Sequence, residues 1–125
     1  MCIRDRSVAA GLEGKKIDLR RIGAAFRMLA SGHDFMIVEG AGGIMAPLSA
    51  SHTFLDLAAH FRLPVLVLAR PGLGTINHTL LTVESLRNSR IPFAGVVWTG
   101  EEDPQVSDYL FKRDGIPSIT LGASP

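Results

Sequence analysis

The sequence predicts an α/β layered fold in which helices cover a parallel sheet, on three observations. Short apolar runs alternate with stretches of helical periodicity. The unit recurs at about thirty residues, the length of a strand, a crossover helix and their turns. Glycine-rich segments follow two of the runs, where the strands would end and ligands of parallel sheets are met.

Taken in order, Leu19, Ile22, Phe26 and Leu29 recur at spacings of three and four between Asp18 and Ser31, while Arg20, Arg21 and Arg27 fall elsewhere. That pattern predicts an amphipathic helix. Phe35-Met36-Ile37-Val38 is a continuous apolar run between Gly32 and the glycines after Glu39. It is too short for a core helix and predicts a strand buried on both faces. A helix from about Thr53 to Phe61, a strand from Val65 to Ala69, a helix from about Thr75 to Ser89 and a strand from Ala94 to Trp98 follow. A weaker helix near Gln105 to Arg113 and a strand near Ser118 to Leu121 complete the pattern. One helix between successive strands calls for right-handed crossovers and parallel pairing. No tandem repeat or low-complexity linker interrupts the series.

Composition narrows the class. With 125 residues, 46% hydrophobic and 20% charged, the chain suits one soluble globular domain with a modest core. Thirteen basic residues against 12 acidic give a net charge of +1, no electrostatic footprint for nucleic acid or an anionic membrane. Small-molecule partners are the expectation. The single cysteine, Cys2, cannot form an internal disulfide. No apolar run approaches the ~18 to 20 residues that cross a bilayer, so a cytoplasmic protein is implied. Residues 1–7 lack the apolar core of a signal peptide and resemble a translated sequencing-adapter scar; the alternative is a frayed natural N-terminus. They are set aside as a leader, leaving residues 8–125 as the domain.

The chemistry should sit in loops beyond the strand ends, which here carry Glu39 with its glycines, Arg70 to Gly74, and Thr99 to Asp103. Three loops are thus expected to converge on one edge. Glu39-Gly40-Ala41-Gly42-Gly43 brings backbone amides within reach of anionic oxygens, beside a carboxylate able to hold Mg²⁺. A tight turn closed by a solvated glutamate is the plainer alternative, although a turn needs fewer glycines. The segment is not the G-x-G-x-x-G fingerprint, because Met45 stands where the last glycine would be, and no G-x-x-x-x-G-K-[ST] occurs.

Pro71-Gly72-Leu73-Gly74-Thr75-Ile76-Asn77-His78 leaves one predicted strand and enters a helix, with Thr75 as the expected N-cap. Free amides and the positive end of the helix dipole suit a carboxylate or phosphate there, and a flexible helix start explains the same residues without a ligand. His33, His52, His60 and His78 show no zinc-site spacing, and Ser49, Ser51 and Ser85 stand in no G-x-S-x-G elbow.

Taken together, Val38-Glu39-Gly40-Ala41-Gly42-Gly43 with Pro47-Leu48, then Thr53-Phe54-Leu55-Asp56, then Leu73-Gly74-Thr75-Ile76-Asn77-His78-Thr79-Leu80-Leu81-Thr82 strongly resemble the dethiobiotin synthetases. The similarity runs from about Val8 to the end; its specificity lies in the order and spacing of the motifs. The resemblance implies a P-loop NTPase-like fold, incomplete here. The implied enzyme is a cyclo-ligase that takes 7,8-diaminopelargonate, CO₂ and ATP with Mg²⁺ and releases dethiobiotin, ADP and phosphate.

On this resemblance Glu39 matches the family's acidic Mg²⁺ ligand, beside the nucleotide. Gly40, Ala41, Gly42 and Gly43 match the loop lying against substrate and phosphates, with Glu39, Gly42 and Gly43 the catalytic group. Pro47 and Leu48 match substrate-pocket residues, although packing explains their apolar character equally well. Leu73, Gly74, Thr75, Ile76 and Asn77 match the helix start that binds the substrate carboxylate from the neighbouring subunit, which implies a homodimer. Thr99 stands where many members carry an asparagine that reads the adenine edge, and a hydroxyl cannot supply an amide's paired donor and acceptor. The family's N-terminal strand, phosphate loop with its lysine and threonine, following substrate lysine and short C-terminal segment have no counterpart. The expectation is therefore an inactive fragment. Rival resemblances are an amidotransferase-type cobyrinate synthase, a MinD-type partitioning ATPase, and a non-catalytic regulatory domain of the same family.

Overall fold

The computed structural model describes residues 6–101 and 103–121. The chain divides into two compact units, Met1–Phe61 and Arg62–Pro125. Of the segment set aside as a leader, residues 1–5 lie outside the described residues, while Arg6 and Ser7 open a helix, α1 (Arg6–Leu12), that the periodicity did not predict.

In the first unit α2 spans Leu19–Ala30, one residue inside each expected bound, and its N-cap is Asp18, whose carboxylate accepts the Arg20 N–H at 2.9 Å. That cap satisfies one orphan donor of the first turn. Leu19, Ile22 and Phe26 are half-buried, as the stripe requires, whereas Leu29 is exposed. Phe26 stacks on Phe61 with ring centroids 4.2 Å apart, so α2 packs on α3 (Phe54–Phe61). At their contact Gly23 is buried, and a Cβ there would meet the His60 ring at 3.4 Å.

Thr53, expected as the first helical residue, instead precedes α3 and caps it. Its N–H and hydroxyl donate to the Asp56 carboxylate at 2.7 and 2.8 Å, and its Oγ1 accepts the Asp56 N–H at 3.4 Å. This reciprocal arrangement is a capping box with aspartate in the acidic position. The segment before it folds back on itself: Pro47 bridges Thr53, and the Leu48 and Ser49 amides both donate to the His52 carbonyl.

The expected strand over Phe35 to Val38 is not formed. Among the described residues no segment pairs with it, and Phe35 and Ile37 are 81% and 80% exposed. Apolar continuity favours a buried strand, but a strand exists only where a neighbour supplies its hydrogen-bond ladder.

The second unit holds a three-stranded parallel sheet in the order β1 (Val65–Ala69), β2 (Phe93–Thr99), β3 (Ser118–Leu121), joined by α4 (Thr75–Asn88) and α5 (Pro104–Asp114). β1 and β3 match their expected bounds, and β2, α4 and α5 match within one residue. Alternation sends Val67, Ala69, Val96 and Trp98 to one face, where they meet Ile76, Leu80 and Val83 of α4 and Val106 and Leu110 of α5. Trp98, Val83, Leu110 and Ile116 are almost wholly buried there. On the opposite face Leu66, Leu68, Ile119 and Leu121 are exposed. Opposite the start of β1 the register slips, Val65 pairing with Phe93 and Leu66 with Gly95. A Cβ at Gly95 would stand 3.1 Å from the Pro117 carbonyl oxygen, so the closeness of β2 to the approach of β3 requires glycine.

Candidate functional site

The start of α4 is built by the loop that leaves β1. Gly74, not Thr75, is the N-cap: its φ of 90° lies in the left-handed region that favours glycine, and no side chain caps the helix. A threonine side chain suits an N-cap chemically, but the backbone reverses one residue earlier, and Thr75 becomes the first helical residue, 8% exposed. The Thr75 N–H donates to the Gly72 carbonyl at 3.2 Å, and the His78 N–H to the Gly74 carbonyl at 3.0 Å. Between them the Ile76 and Asn77 amides have no backbone acceptor among the described residues. Two adjacent free donors at the positive end of a helix dipole can hold one carboxylate or phosphate.

These residues rim an open depression of about 470 Å³ lined by Gly72 to Asn77 with Leu80, Val106 and Arg113. The Ile76, Leu80 and Val106 side chains supply apolar wall, and Asn77 is exposed at the rim. Val106 and Arg113 were not among the candidate site residues read from the sequence, and Leu80 was read only as part of the motif at the start of α4. Val106, Leu110 and Arg113 follow one another at four and three residues, so α5 periodicity gives their shared face but not the loop it faces. The Arg113 guanidinium donates to the Tyr109 hydroxyl at 3.3 Å and lies 3.3 Å from the Asp114 carboxylate. The tyrosine hydroxyl first, and then the aspartate charge, push its pKa further above its ordinary value.

Thr99 ends β2 beside this loop. Its hydroxyl donates to the Ala69 carbonyl at 3.3 Å, tying together the carboxyl ends of β1 and β2. A Cβ on the next residue, Gly100, would touch the Pro71 ring at 3.7 Å, so the two loops run side by side. Thr99 Oγ1 keeps acceptor capacity while its proton is committed to the backbone.

Glu39 to Gly43, Pro47 and Leu48 belong to the first unit, whereas Leu73 to Asn77 and Thr99 belong to the second. Within the second unit two adjacent loops emerge at the carboxyl ends of β1 and β2, and in the first unit Glu39 does not follow a formed strand. Glu39 is exposed, and among the described residues no hydrogen bond or ion pair engages its carboxylate. Nor do three or more His, Cys, Asp or Glu side chains cluster there as a metal cage. One open carboxylate nevertheless suits Mg²⁺, which keeps several waters and takes one or two carboxylates together with phosphate oxygens.

The glycines after Glu39 differ in their reasons. A Cβ on Gly40 would come within 3.0 Å of the Phe54 ring, so packing within the unit excludes a side chain there. Gly42 has a φ of 101°, and a Cβ on Gly43 would meet nothing within 4 Å, leaving its backbone approachable. Pro47 sits in the bridge to Thr53, and Leu48 is 4% exposed. His52 Nδ1 lies 3.2 and 3.0 Å from the Ser49 and Ser51 hydroxyls, a polar turn at the surface. Asp56 has its pKa lowered, first by the Thr53 N–H and then by the Thr53 hydroxyl, as an acidic cap should.

A protein-family model described as an AAA domain matches residues 3–123. The chain is 52% identical over 103 residues to a protein of Anaeromyxobacter dehalogenans strain 2CP-C named ATP-dependent dethiobiotin synthetase BioD, covering 80% of this chain and 46% of that relative. Proteins of the same name from Endomicrobium trichonymphae and Lysinibacillus sphaericus strain C3-41 are 46% and 43% identical. These matches cover 71% and 89% of this chain, and 41% and 46% of the relatives. The chain therefore spans less than half the length of these curated relatives.

Proposed function

The chain belongs to the AAA-domain family, and we propose that it carries part of the active site of an ATP-dependent dethiobiotin synthetase. The observation that carries this reading is the start of α4, where two residues with free amides line a depression shared with apolar side chains, as an aliphatic substrate ending in a carboxylate requires. The names of the relatives supply the reaction class.

In this reading one amine of 7,8-diaminopelargonate attacks CO₂ and loses a proton to give a carbamate. A carbamate oxygen takes the γ-phosphoryl group of ATP, releasing ADP. The second amine then attacks the activated carbonyl carbon, expels phosphate and closes the ureido ring of dethiobiotin. Gly74, Thr75, Ile76 and Asn77 hold the substrate carboxylate, with Leu73 at the loop tip, and the carboxylate comes from the other subunit of a homodimer. Gly40 to Gly43 lie along the substrate and phosphates, with Pro47 and Leu48 supporting the pocket. Glu39 would hold Mg²⁺, whose positive charge would be supplied to the phosphoryl oxygens. Thr99 stands at the base edge with an acceptor only. In this reading the enzyme acts in the cytoplasm. Among the described residues no helix is long and apolar enough to cross a membrane.

The sequence contains no G-x-x-x-x-G-K-[ST], so the γ-phosphate must be gripped by residues other than these. Calorimetric titration of this chain with Mg²⁺–ATP is accordingly expected to give little or no binding heat. In an enzyme assay on the gene's complete reading frame, Glu39→Gln is expected to lower kcat by about a hundredfold or more, the scale of a lost transition-state charge contact. Tight ATP binding by the chain alone would overturn this division of labour. Wild-type turnover by Glu39→Gln would overturn the metal assignment.

A further inference from the structure

We draw no further inference here: the strongest candidate, the exposed apolar face of the second unit's sheet formed by Leu66, Leu68, Ile119 and Leu121, carries nothing because the structure does not show what covers it.

Discussion

Gly74 offers a direct test of how the α4 start is made. Its φ of 90° and ψ of −9° place it where an L side chain is strained, at a cost of roughly 1–2 kcal/mol for alanine. Space is not the obstacle, because a Cβ would sit 3.4 Å from Cε1 of His78, an exposed ring free to move aside. Strain and bulk thus predict opposite orders. Asparagine is larger than alanine but tolerates the left-handed region, because its short amide can bond locally. Gly74→Asn is expected to lose about half of what Gly74→Ala loses. With a urea dependence of about 1–3 kcal/mol per molar, Gly74→Ala should shift the unfolding midpoint down by about 1 M. The assay is urea denaturation followed by circular dichroism, with Thr75→Ser as a control that keeps the backbone. Equal or greater loss for Gly74→Asn, or no loss for Gly74→Ala, would refute the φ argument and return the cap to Thr75.

Three further outcomes follow from particular contacts. Ile37→Thr should change stability by less than about 0.5 kcal/mol, because Ile37 is 80% exposed, whereas burial in a strand would make the loss of its side chain cost several times that; urea denaturation decides. Thr53→Ala should destabilise α3 by about 1 kcal/mol, the usual cost of an N-cap. Because the Thr53 bonds lower the Asp56 pKa from its ordinary 3.8, the cap is fully present above that value and is lost as the pH falls through the folded pKa below it. Helicity measured from pH 6 downward should show this loss, and Asp56→Asn should remove that part of the pH dependence. Trp98→Ala should cost about 3–5 kcal/mol in a urea titration, as for other buried aromatic truncations. Trp98→Phe should cost only about 1 kcal/mol, because the buried indole N–H has no partner among the described residues and its removal offsets part of the lost volume.

What was legible in the sequence was whatever depends on neighbours along the chain. The stripe of Leu19, Ile22 and Phe26 marks α2 because a helix makes its own hydrogen bonds, and Asp18 marks its start because a cap acts within three residues. The strands β1 to β3 were legible through the helices between them, since βαβ connectivity leaves parallel pairing as the standard solution. Phe35 to Val38 shows the limit: its composition resembles that of β1, yet among the described residues no segment supplies the ladder a strand needs. The register slip opposite Val65 was hidden for the same reason, being a property of two strands together. The short α1 has no apolar stripe to announce it and begins inside the segment set aside.

The site divides along the same line. The α4 start was visible because glycine, a short polar residue and a helix follow one another in sequence, and only the position of the cap shifted, from Thr75 to Gly74. The opposite wall of its depression comes from α5, with Arg113 lying 39 positions after Gly74. A helix periodicity gives Val106 and Arg113 a common face but gives no sign of which loop that face meets. Thr99 illustrates a subtler case. Its departure from asparagine was readable as the absence of an amide's paired donor and acceptor, while its bond to the Ala69 carbonyl shows a second role: the hydroxyl ties β1 to β2 where their loops emerge. One proton cannot serve both the backbone and a base, so any recognition by Thr99 must use its oxygen as an acceptor.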